Sequence, residues 1–564
     1  MEIGNIANRN VRIACTHQSW IGSSGIRGGV NLKRAVILGV LAVLAQSPSV
    51  RAEADSCAGL AKLKLPQGEI VSSAILEKGA FTPPPNPFTP PPPQPGTAPA
   101  APSSPPPEML ARQAREAATY KTLPSFCRVQ AALRPTADSL INVEIWMPAE
   151  SWNGRLEEVG NGAFGSNIQF SEMAQGLAKG YATAASDTGH QGNDSSFAIG
   201  HPEKLVDWGN RSIHETTVTA KAVLAAYYGA GPKHSYWNSC STGGRQGWIA
   251  AEYYPNDFDG LVIGDPANPM TRLQAGGIWA SLALNKDADS FIPAEKWAMI
   301  HKAVVEQCDA KDGLKDGLVA DYRQCGFDVQ TLACKQGDAA GCLTAAQIEA
   351  LGKVVAGARN PRTGEQIYPG YPLGVAMLPG PVAGKNRPDP SGPTTYRLLF
   401  QDPGWDYHTL DFDSDIARAD KIADTVMNAV EPAKLKPLFD RGGKILLYHG
   451  WDDPAISALI SIELYEQAVA ANGGLGKTYG EIRLFMAPGM NHCGGGEGPN
   501  AFDKLDTIVA WVEQGKAPDR IAAAHADASG KVDRTRPLCP YPQIAKYKGA
   551  GSIDEAQNFV CAAP

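Results

Sequence analysis

The sequence predicts an α/β fold on a mostly parallel sheet, rich in disulfides and interrupted by one large insertion. Three observations carry that expectation. Apolar runs of strand length alternate with helix-spaced segments in two separate stretches of the chain. The rhythm stops between about residues 268 and 433 and then resumes. The cysteines, once a leader is set aside, form an even set.

The 564 residues are too many for one small core. Lys33 and Arg34 precede the apolar run Ala35–Gln46, and Val50 and Ala52 have the small-x-small spacing of a cleavage site. The run is shorter than the ~20 residues that span a bilayer. Residues 1–52 therefore read as a removed leader, and the mature chain as periplasmic or secreted, with no membrane segment afterwards. Of 11 cysteines, Cys15 falls in the leader, and the remaining ten suit an exported, disulfide-bonded protein. A formal net charge of −7, with no Lys/Arg-rich run, argues against a nucleic-acid partner.

Residues 53–130 read as an N-terminal segment whose proline-rich tract, Phe81 to Glu108, is expected to be extended and outside the core. An α/β core is expected over 131–267 and 434–564, interrupted by one large insertion, 268–433. Leu140–Pro148 and Tyr181–Gly189 read as strands, and Ile213–Gly229 as a helix closing on glycine. HSYWNSC (234–240) reads as a strand, GGRQGWIAAEYYP (243–255) as a helix, and FDGLVIGDPA (258–267) as a buried strand. GGKILLYHGWDD and EIRLFMAPGMNHC are strands with loops at their carboxyl ends, and AFDKLDTIVAWVEQGKAP is an amphipathic helix.

Ser241 stands at the junction of the 234–240 strand and its helix, in the pattern Ser239-x-Ser241-x-Gly243. A serine needs a base to take its proton, and the base needs an acid to orient it. In an α/β hydrolase these follow in the order Ser, Asp or Glu, His, each at the carboxyl end of a strand. Asp452 or Asp453 and then His492 satisfy that order. The competing reading of Ser241 alone is a helix N-cap. Cys240 precedes the serine and Cys493 follows the histidine, so a disulfide between them would fasten base to nucleophile.

CSTGG, the aspartate and NHC resemble the CS-D-HC arrangement of the tannase and feruloyl esterase family. WNGR (152–155), VGNGA (159–163), FQDPGWDY (400–407), YHGWDD, PGMNHC and RPLCPYPQ resemble its blocks too. The resemblance implies an α/β-hydrolase fold with an inserted lid, and Asp453 as the acid. It implies oxyanion donors at the backbone N–H groups of Thr242 and Ala163, and pairings Cys240–Cys493, Cys308–Cys325, Cys334–Cys342 and Cys539–Cys561, leaving Cys57 with Cys127. It also implies a structural Ca2+ held by Asp309, Asp312 and Asp316 and the carbonyls of Leu314 and Leu318, in an acidic loop that is not an EF-hand. No organic cofactor is expected.

The function so implied is an exported serine carboxylesterase that releases a phenolic acid from a small aromatic ester, free or attached to plant polysaccharide or tannin. Phe400 is the expected stacking residue and Arg397 the expected partner of a substrate carboxylate. The C-terminal segment resembles mono(2-hydroxyethyl) terephthalate hydrolase, which makes that monoester an alternative substrate. A serine peptidase would use the same three residues. A catalytically silent binding protein is the alternative of a different class; it predicts a broken triad.

Overall fold

The computed structural model describes residues 56–84, 107–164, 166–192, 195–375 and 392–564. The expected leader at 1–52 and most of the proline-rich tract lie outside them. Nine strands form one mixed sheet: β1 Gly68–Leu76, β2 Phe126–Leu133, β3 Ile141–Pro148, β4 Arg155–Glu158, β5 Ala182–Ser186, β6 His234–Cys240, β7 Gly260–Gly264, β10 Lys444–Gly450 and β11 Ile482–Ala487. Two further strands, β8 Ala358–Arg359 and β9 Gln366–Tyr368, make a short ribbon in the inserted segment. The order is β1-β2-β3-β5-β4-β6-β7-β10-β11. From β5 to β11 every neighbouring pair is parallel; β1, β2 and β3 extend the sheet antiparallel.

The parallel strands are covered on both faces, so their apolar runs are continuous: β7 and all of β10 except Lys444 are buried. Helices Ser212–Tyr228, Thr242–Tyr253 and Lys504–Gln514 lie close to the predicted positions. Sequence periodicity did not reveal β1, β2 or β4. β1 is a half-exposed edge strand, and β4, RLEE, is the reverse of an apolar signal because Glu157 and Glu158 are themselves buried. The N-terminal segment thus supplies β1 and part of β2 to the main sheet. Phe81, the first residue of the proline-rich tract, is buried among Tyr120, Phe126, Trp146 and Phe170.

Between β7 and β10 the chain forms helices Met270–Leu284, Ala294–Cys308, Ala345–Ala356, Gly392–Phe400 and Ser414–Ala423. Five disulfides join Cys57–Cys127, Cys240–Cys493, Cys308–Cys325, Cys334–Cys342 and Cys539–Cys561, the pairs the resemblance implies. Among the described residues no helix is long and apolar enough to cross a membrane.

Candidate active site

β6 ends at Cys240, and the helix that follows begins at Thr242, so Ser241 must turn the chain within one residue. It does so at φ +66°, a conformation that L-residues rarely adopt. The turn works because its neighbours are small. A Cβ at Gly243 would come within 2.0 Å of Ser239 Oγ, and one at Gly244 within 2.2 Å of the Gly264 carbonyl. Ser239 can therefore replace the more usual glycine because Gly243 has no side chain. The Ser241 side chain makes no capping bond to its helix. Instead, its Oγ lies 2.9 Å from His492 Nε2.

His492 Nδ1 lies 2.7 Å from Asp453 Oδ2. The other Asp453 oxygen accepts the N–H groups of Ala455 and Ile456 at 2.7 and 3.0 Å. Asp452 faces Tyr322 instead. Asp453 is fully buried; burial by itself raises a carboxyl pKa, but hydrogen bonds from His449 and His492 outweigh it and hold Asp453 below the usual carboxylate range. Burial acts to lower His492, yet the hydrogen bond to Asp453 and the charges of Asp453 and Asp265 raise it to about 9. Such an array can take a proton from Ser241 and hold the resulting imidazolium. Cys240 and Cys493 are bonded, with Cα atoms 5.9 Å apart.

Ala163, also at positive φ (51°), and Thr242 both line the cavity onto which Ser241 opens. Thr242 Oγ1 donates to the Ala163 carbonyl at 2.6 Å, tying the two loops together. Gln246 accepts the N–H of Asn161 at 3.0 Å and donates to its side chain at 3.1 Å, which fixes the other end of the same loop. The cavity holds about 640 Å³. Its lining includes apolar residues (Phe164, Met270, Leu273, Tyr371 and Ile456) and the polar Asn167, Gln169 and Glu172. These lining residues carry no local motif and come from separate loops and helices, so the sequence did not signal them.

Phe400 and Arg397 are not among the lining residues. Phe400 packs between Tyr396 and Trp405, with the Arg418 guanidinium 4.0 Å from its ring centre. Arg397 Nε donates to the Trp405 carbonyl at 3.1 Å. In the acidic loop, both Asp309 oxygens accept backbone N–H groups, those of Asp316 and Gly317. Asp312 accepts the N–H of Leu314, Asp316 accepts that of Leu318, and Asp316 also pairs with Arg536 at 2.6 Å. Burial, reinforced by the nearby Asp316 and Asp309 carboxylates, raises Asp312 to about 6.

Serine, acid and histidine, in that chain order, after the carboxyl ends of the parallel strands β6, β10 and β11 make the arrangement of an α/β hydrolase. Known proteins narrow that class. Residues 127–562 match the family model described as tannase and feruloyl esterase. An uncharacterised esterase of Xanthomonas campestris is 35% identical over 575 residues, covering 93% of this chain and 94% of its own. Mono(2-hydroxyethyl) terephthalate hydrolase of Piscinibacter sakaiensis is 35% identical over 526 residues, covering 79% and 86%. The crystal structure of feruloyl esterase B from Aspergillus oryzae superposes with a TM-score of 0.78 at 27% identity, over 90% of this chain and all of that one. The chain belongs to the tannase and feruloyl esterase family and is a carboxylic-ester hydrolase of that type.

Proposed function

We propose that the protein is an exported serine esterase that hydrolyses esters of uncharged phenolic acids, of the hydroxycinnamate kind first and gallate esters next. The observation that carries this reading is the continuous line from Ser241 through His492 to Asp453, at 2.9 and 2.7 Å, opening onto the half-apolar cavity. His492 Nε2 takes the Ser241 proton as Oγ attacks the ester carbonyl, and Asp453 keeps the imidazole in the required tautomer. The Thr242 and Ala163 N–H groups receive the oxyanion, a stabilisation in which one donor is typically worth ~10²–10³ in turnover. The protonated histidine gives its proton to the leaving alcohol. Water, activated by the same histidine, then releases the acid from the acyl-enzyme.

The terephthalate monoester is the second reading, supported by the relative that bears that activity in its name. Its free carboxylate needs a cation, and among the described lining residues there is no Lys or Arg, while Glu172 is present. That favours the uncharged acyl group. Product chromatography with methyl ferulate, methyl gallate and mono(2-hydroxyethyl) terephthalate tests the choice, with Ser241→Ala as the blank. Dominant release of ferulate supports it, and dominant release of terephthalate overturns it.

Export rests on the leader and the five disulfides, and N-terminal sequencing of the secreted product should begin near Glu53. In the lid, Asp309, Asp312 and Asp316 offer hard oxygens whose mutual repulsion a divalent cation would relieve, and they fit Ca2+ in donor chemistry. Their oxygens do not all lie within 4.8 Å of one another, so binding would draw them together, with the carbonyls of Leu314 and Leu318 completing the set. The ion would brace the loop closed by Cys308–Cys325. Chelation with EGTA should lower the melting temperature and added Ca2+ should restore it; no change in melting overturns the site.

A further inference from the structure

Behind Asp453 the line of ionisable groups continues. His449, on β10 and fully buried, places Nε2 3.2 Å from Asp453 Oδ2, the same oxygen that faces His492. Its Nδ1 lies 2.7 Å from Ser461 Oγ. Beyond it Asp265, also fully buried, has Oδ1 3.9 Å from His449 Nε2. All the oxygens facing Nε2 are acceptors: Asp453, Asp265 and the Ile456 carbonyl at 3.2 Å. Nε2 therefore carries a proton.

Asp265 has a second set of contacts. Its Oδ1 accepts the N–H of Gly450, next to His449, at 3.1 Å. Its Oδ2 accepts the N–H of Cys493, next to His492. One carboxylate at the end of β7 thus ties the loop bearing the acid to the loop bearing the base. It does so from a residue held at φ +35°, a conformation outside the regular α and β regions.

We propose that His449 and Asp265 are positioning residues of the ester-hydrolysing site. The His449 Nε2–H clamps the Asp453 oxygen that holds His492, and Asp265 locks the two loops together by their backbones. This inference rests on the reading of Ser241, His492 and Asp453 as the hydrolytic machinery. A neutral histidine filling a gap in the core would be the simpler use of the position, but it would leave two buried carboxylates facing each other with no positive charge between them. The charges of Asp265 and Asp453 outweigh burial and favour the imidazolium form of His449. The other ionisable groups facing this line are Tyr368 and Tyr371 towards Asp453, and Tyr448 and Lys504 towards Asp265. Burial keeps the tyrosines neutral and works against the Lys504 charge.

Loss of the His449 charge leaves more negative potential at His492, which then holds its proton to higher pH. The probe is paraoxon, which phosphorylates a reactive serine and releases p-nitrophenolate, so no choice of ester enters. Its reaction with Ser241 is followed from about pH 6 to 10 by colour and intact mass. For His449→Gln the acid limb should move up by about one pH unit, slowing the reaction about tenfold near pH 7 and much less on the alkaline plateau. The double variant Asp265→Asn/His449→Gln removes both charges and keeps one oxygen for one of the two backbone N–H groups, so the position of its acid limb should return towards wild type even though its plateau rate falls. Ser461→Ala, a milder change at Nδ1, should move it in the same direction as His449→Gln but less. A uniform loss at every pH in His449→Gln, or no recovery in the double variant, overturns the proposal. A wild-type Ser241 that reacts while no ester is hydrolysed counts against the substrate reading alone. A folded wild type that does not react overturns both.

Discussion

Replacing Glu157 by glutamine should stabilise the protein above about pH 4.5, by an amount that grows until about pH 7. Glu157 sits on β4 with 2% of its surface exposed. One oxygen accepts from Asn238 Nδ2 at 2.8 Å; the other is buried with no partner. Burial is the main reason its pKa rises to about 7, with the nearby Glu172 adding to it. Because the folded value lies above the unfolded one of 4.5, the favourable contribution is complete below pH 4.5 and is lost as pH climbs to about 7. A difference of ~2.5 units corresponds to about 3 kcal/mol. Glutamine keeps an oxygen for Asn238 and carries no charge, so it escapes that loss. For a chain of this size, about 3 kcal/mol is roughly 3 °C in melting temperature. Thermal melts of both proteins should coincide near pH 4 and separate by about that amount at pH 8. A separation that does not depend on pH, or one that grows towards acid, refutes the reasoning.

Three further outcomes are expected. Ser241→Ala should lose about 10⁴-fold or more of the ester hydrolysis rate, read against the same substrate, whereas Ser241→Gly, which relieves the +66° backbone, should melt no lower than wild type. The acid limb of kcat/KM should lie well above the ordinary histidine value of 6.5 and towards about 9, because Asp453 and Asp265 favour the protonated form of His492; the same shift means the histidine's contribution to folding is present below pH 6.5 and fades as pH rises through about 9. Cys240→Ala/Cys493→Ala opens a link between residues 253 apart. It should lower stability by up to about 5 kcal/mol on chain-entropy grounds and turnover by about 100-fold if the histidine loop moves by an ångström, measured by denaturant unfolding and steady-state kinetics on the same preparation.

What could be read from the chain alone was whatever is local. Ser241 with Gly243, the HGWDD loop and NHC each sit on a strand end, and a strand end is marked by an apolar run followed by small or polar residues over a handful of positions. The order of the three residues and the two adjacent cysteines then linked them across the insertion. Which aspartate faces the histidine was not a local matter: order along the chain left Asp452 and Asp453 open, the resemblance pointed to Asp453, and the turn after β10 sends that one to His492 and the other to Tyr322. The same holds for the substrate side. FQDPGWDY is aromatic and lies in the inserted segment, yet Phe400 is occupied by Tyr396, Trp405 and Arg418, while Met270, Leu273 and Tyr371, without any motif, line the cavity. Glu157, Asp265 and His449 were illegible for one further reason. A buried charge is tolerable only beside partners that folding supplies from far along the chain: Asn238 for the first, and Gly450 and Cys493 for the second. Sequence fixes residue type and local geometry; the meeting of strand ends 265, 449, 453 and 492 is made by the sheet, because parallel strands bring their carboxyl ends to one edge whatever the length of chain between them.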